Sequence, residues 1–152
     1  RMPPNSPLTA GRIVGLALFA NDEINDAELF ALHRVQVCHQ LGLSRECWQG
    51  LLAELHDAFL HARERPRTTL ADVLPVQYWL NTVDDPALQQ RVAQMCAAVV
   101  SADGFVDPGE ARLLRRLLGA WPLPAQEREM LEALVYGLEF EIRPRTDVDA
   151  LH

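Results

Sequence analysis

Apolar positions along this chain recur with helical spacing, and no stretch alternates as a half-buried strand would. The clearest case is Trp48, Leu51, Leu52, Leu55 and Phe59, which follow i, i+3, i+4, i+7 and i+11 and predict an amphipathic helix behind a Ser44 cap. Two blocks are denser. Ile13, Val14, Leu16, Ala17, Leu18 and Phe19 make a helix from about Thr9 to Ala20 apolar nearly all round, and Val92 to Val100 repeats the pattern with Gln94 as its interruption. Helices of that kind sit in the middle of a bundle. Gly11 and Gly15 share one face of the first and permit a close helix contact there.

Start and stop signals divide the rest. Asn25 with Glu28 three residues on has capping-box spacing, opening a helix through Leu29, Leu32, Val35 and Cys38 that Gly42 closes. After Pro66, Thr69 and Asp72 suit the cap of a short helix that Pro75 limits, and Tyr78, Trp79 and Leu80 are expected to pack down onto the bundle. Pro86 opens the second dense helix. Asp107, Pro108 and Glu110 fit N-cap, N1 and N3 of the next helix, which buries Leu113, Leu114, Leu117, Leu118 and Trp121 and leaves Arg112, Arg115 and Arg116 outside. Pro122 ends it. Pro124 opens the last helix, with the stripe Met130, Leu131, Leu134, Val135 and Leu138.

The chain repeats itself. Ala20, Ile24, Asn25, Glu28 and Leu32 align without a gap on Ala102, Val106, Asp107, Glu110 and Leu114, and Leu43 and Leu51 follow on Leu123 and Leu131 after a short deletion. Each half reads as helix, acidic turn, helix, short turn, helix. Packing the halves together buries both central helices. The expected fold is all-α: a duplicated bundle of about seven helices, two pseudo-equivalent three-helix halves with a connector. Residues 1–7 read as a disordered lead-in, 8–142 as one domain with halves over about 9–61 and 85–142, and 143–152 as a tail.

Composition narrows the function. The 152 residues are 49% hydrophobic and carry a net charge of −7, which disfavours a nucleic acid or an anionic membrane as direct partner and leaves a cation or a basic partner open. Three cysteines without paired spacing suit reduced thiols in a cytosol. No apolar run has the length of a membrane span or the core of a signal peptide.

An apolar helix, then Ala102-Asp103-Gly104-Phe105-Val106-Asp107-Pro108-Gly109-Glu110, a Leu-rich helix, Leu123-Pro124 and a third helix resembles the tellurite-resistance TerB family and the TerB-like region of the DjlA co-chaperones, over about Leu8 to Leu138. The resemblance implies an all-helical, duplicated, cytoplasmic, non-enzymatic protein tied to stress-response or membrane-linked complexes, with any membrane association made through a partner. It also implies a divalent-cation role for Asp103, Asp107 and Glu110, and for Asn21, Asn25 and Glu28 in the first half, where two asparagines replace aspartates and Asp22 replaces the glycine.

The chemistry of these turns has two readings. Asp103 ends a helix, where the dipole already concentrates negative charge, so something positive is expected to answer it. With Asp107 and Glu110 it offers oxygens to a hard cation such as Ca²⁺ or Mg²⁺, in a turn that is not an EF-hand and whose binding is expected to be weak. Alternatively, Asp107 and Glu110 are a capping box and no more, and the protein is a scaffold whose acidic turns only fix helix angles. No Glu-x-x-His, HExxH, phosphate loop or nucleophile elbow occurs. His33, His39, His56, His61 and His152 form no ligand set, and Cys38 beside His39 reads as a buried cysteine. Arg112, Arg115 and Arg116, with Arg63, Arg65 and Arg67, are a solvated face or a docking patch for an acidic partner.

Overall fold

A computed structural model describes residues 4–20, 26–34, 36–66, 70–102, 104 and 106–136. Nine helices run through them: α1 (Pro7–Leu18), α2 (Asp26–Arg34), α3 (Val37–Leu41), α4 (Arg45–Arg63), α5 (Leu70–Val73), α6 (Val76–Thr82), α7 (Pro86–Val100), α8 (Pro108–Ala120) and α9 (Ala125–Tyr136). No strand occurs among the described residues, so the all-α expectation holds. None of the described helices is long and apolar enough to cross a membrane.

The two dense apolar helices lie against each other at the centre. α1 packs on α4, α6 and α7, while α7 also meets α2, α8 and α9. Ile13, Val14, Ala17, Leu18, Val92, Ala93, Cys96, Val99 and Val100 are inaccessible to solvent or nearly so. Both glycines of α1 face α4. A Cβ on Gly11 would stand 2.8 Å from Leu51 Cδ2, and one on Gly15 would stand 2.5 Å from Leu55 Cδ1. Glycine there lets the helices approach closely enough to bury Leu51 and Leu55 completely against α1.

The count differs from about seven for identifiable reasons. The helix expected from Asn25 to Leu41 breaks at Gln36, whose φ of 55° is left-handed, and the chain restarts as α3. Neither glycine nor proline marks this break. It turns Val37 and Leu41 into the core, leaves Leu29 exposed and Cys38 only half-buried, and so departs from the expected Leu29–Cys38 stripe. The connector likewise holds two short helices, α5 and α6, instead of one. Trp79 and Leu80 pack inward as expected, but Tyr78 points outward.

Hydrogen bonds pin this connector. The Trp121 indole N–H donates to the Leu80 carbonyl at 3.0 Å inside the core. Gln89 Nε2 donates to the Val83 carbonyl at 2.8 Å. Asn5, which the sequence places in the lead-in, accepts at Oδ1 from the amides of Asp84 and Asp85 and thereby holds the chain ahead of α1 to the α6–α7 junction.

Candidate functional site

The second acidic turn builds the start of α8 as the spacing requires. Gly104 takes a left-handed φ of 83°, a backbone state that a Cβ disfavours. Asp107 is extended and caps the helix through its side chain. The Asp107 amide in turn donates to Glu110 Oε1 at 3.0 Å, which completes the capping box, with Pro108 at the first helical position. Gly109 lies hard against the carbonyl of Ala20, so that a Cβ there would collide with backbone. The start of α8 is therefore seated on the residue where the first acidic turn leaves α1.

Across that seat α2 and α8 exchange a contact. Glu28 is the third residue of α2 and Glu110 the third of α8, and both are buried, at 0% and 1% exposure. Their side chains are hydrogen-bonded to each other. Burial raises the Glu110 pKa most. The Asp107 amide bond works against that rise, while the hydrogen bond to Glu28 and the negative charges of Glu28 and Asp107 add to it, and the result is about 9. Two carboxyls that share a hydrogen bond resist ionising together, so the pair titrates as a unit and Glu110 keeps its proton near neutral pH. With Oε1 accepting from Asp107, the Glu110 hydroxyl donates to the Glu28 carboxylate.

Of the six expected cation ligands, the structure thus brings Glu28, Asp107 and Glu110 together. Asp103, Asn21 and Asn25 lie outside the described residues. Among the described residues no group of three or more His, Cys, Asp or Glu side chains is arranged to hold a metal ion. Glu110 is engaged with Glu28 and, through Oε1, with the helix cap.

A third buried acid escaped the sequence reading. Glu127 on α9 is 2% exposed, and its Oε2 accepts from Gln90 Nε2 at 2.9 Å and Gln94 Nε2 at 2.7 Å. Those two amides hold its carboxyl below the ordinary range and clamp α9 to α7. The signal was present in Gln90 and Gln94, one turn apart, with Gln94 interrupting the apolar run. All three cysteines are free, and burial pushes the Cys96 thiol up to about 12, which leaves it unreactive. Compared with known proteins, the chain matches no family model, no curated protein and no solved structure.

Proposed function

We propose that the chain is a non-enzymatic module of the TerB type that acts through protein contacts in a stress-response setting, and that its acidic turns are the joint between its halves. The observation that supports this reading is the Glu28–Glu110 contact. A catalytic acid or a cation ligand has to present its oxygens to something that arrives. These oxygens face each other, away from solvent. Their arrangement makes an interlock in which each helix start contributes one carboxyl, and a shared proton stands where a cation would otherwise be needed.

The competing reading, a weak Ca²⁺ or Mg²⁺ site at Asp103, Asp107 and Glu110, draws on Asp107, whose charge reaches Glu110 and raises its pKa. One pair of experiments separates the two. Partners captured from cells under mild conditions are purified, recombined with the protein and sized by sedimentation, using wild type and Glu110→Gln. The module reading expects a stoichiometric complex with both proteins and no saturable heat from divalent cations. Saturable cation binding that Glu110→Gln abolishes, or metal-dependent turnover of any substrate, would overturn it.

A further inference from the structure

A groove of about 230 Å³ opens beside the interlock, between α1, α5, α6 and α8. Its floor is apolar, from Leu16, Phe19, Val76 and Leu113, and its wall on α8 carries Arg112 and Arg116. The volume is below that of most sites for drug-sized molecules and suits one large side chain. Arg112 is exposed, and Arg116 is half-buried with a long 3.5 Å bond from its Nη2 to Gln77 Oε1. Neither is ion-paired among the described residues, in a chain whose net charge is −7.

We infer that this groove docks an extended acidic–apolar–acidic segment of a partner protein, its apolar side chain on the floor and its two carboxylates on Arg112 and Arg116. The inference rests on the reading of the chain as a binding module and gives that module a surface and a ligand chemistry. Spacing carries it. Four residues along a helix advance about 6 Å. Two residues along an extended peptide advance about 6.6 Å and put both side chains on the same edge, with the residue between them on the opposite one. An acid–apolar–acid triplet therefore matches both arginines at once while its middle residue enters the groove. Arginine's planar fork suits each carboxylate.

The test is fluorescence polarisation of a labelled Gly-Glu-Phe-Glu-Gly peptide against the full chain. Saturable binding at sub-millimolar concentration is expected, weakened roughly tenfold or more by Arg112→Glu with Arg116→Glu. A Gly-Lys-Phe-Lys-Gly peptide should show the reverse preference, which also proves the double variant folded. No saturable binding of the acidic peptide, or binding that the charge reversal leaves unchanged, overturns the inference. So does binding of decanoate in place of the peptide, which makes the occupant a small amphiphile. Self-association of the chain lost in the double variant would make it a second copy. Peptide binding that appears only once Glu139→Lys and Glu141→Lys are introduced would make it the chain's own Glu139-Phe140-Glu141. If the peptide fails while the reconstituted partner complex survives the charge reversal, only this surface falls and the module reading stands.

Discussion

Replacing Glu110 by glutamine should remove a pH dependence that the wild type cannot avoid. The native pair holds a proton that the unfolded chain releases in the ordinary glutamate range. Between the unfolded value of 4.5 and the native value of about 9 the native state binds more protons, so stability falls as pH rises. One proton of difference gives a slope of at most about 1.4 kcal/mol per pH unit. From pH 6 to 8 the wild type should lose about 1–3 kcal/mol, allowing for relaxation of the pair as it ionises. For a chain of this length that is a fall of roughly 2–12 °C in melting temperature. Glutamine is the neutral isostere of the protonated acid. Its carbonyl still accepts from the Asp107 amide, and its amide donates to Glu28. The variant should match the wild type within about 1 kcal/mol below pH 5 and exceed it above pH 7. Urea unfolding followed by circular dichroism across that range measures both curves. Parallel curves, or a constant penalty at every pH, would refute the shared proton.

Other expectations follow from the same contacts. Gly15→Ala drives a methyl into the buried Leu55 side chain and should cost about 1–3 kcal/mol in urea unfolding, whereas Gly50→Ala, with open space around it, should be neutral or stabilising. Trp121→Phe leaves the Leu80 carbonyl without its buried donor and should lower stability by about 1–3 kcal/mol, with amide exchange accelerating across α6. Glu127 should act with the opposite sign to Glu110. Its carboxyl is held low in the native state, so its contribution is present above the unfolded value and lost as pH falls through the native one; Glu127→Gln should flatten the acid limb of the stability curve. Calorimetric titration of Ca²⁺ or Mg²⁺ near neutral pH should give no saturable heat, and a saturable isotherm abolished by Glu110→Gln would return the acidic turn to the cation reading.

Much of the fold was legible because its determinants are local. The Ser44 cap, whose Oγ accepts the Cys47 amide at 3.0 Å, the Asp107–Glu110 box and Pro86 each fix a helix start within a few residues. The all-round apolarity of α1 and α7 named the central pair. What was not legible depends on contacts distant in sequence. Gln36 breaks a helix without a breaker residue because the core takes Val37 and Leu41, and no local propensity records that demand. The same limit governs the site. Each glutamate reads locally as the N3 member of its own cap, which is true of Glu110. That Glu28 on α2 and Glu110 on α8 meet goes with the seating of α8 against Ala20, where Gly109 admits backbone contact. The alignment of Glu28 on Glu110 paired the positions without revealing that their side chains touch.

The shared proton is best observed on the carboxyl carbon itself. Carbon-13 spectra of protein labelled at the glutamate side chains, recorded through a pH titration, follow each carboxyl separately. One glutamate is expected to keep the shift of a protonated acid at neutral pH and to titrate only under alkaline conditions, and that signal should vanish in Glu110→Gln. If every glutamate titrates in the ordinary carboxylate range, Glu28 and Glu110 share no proton, and the interlock between α2 and α8 is refuted.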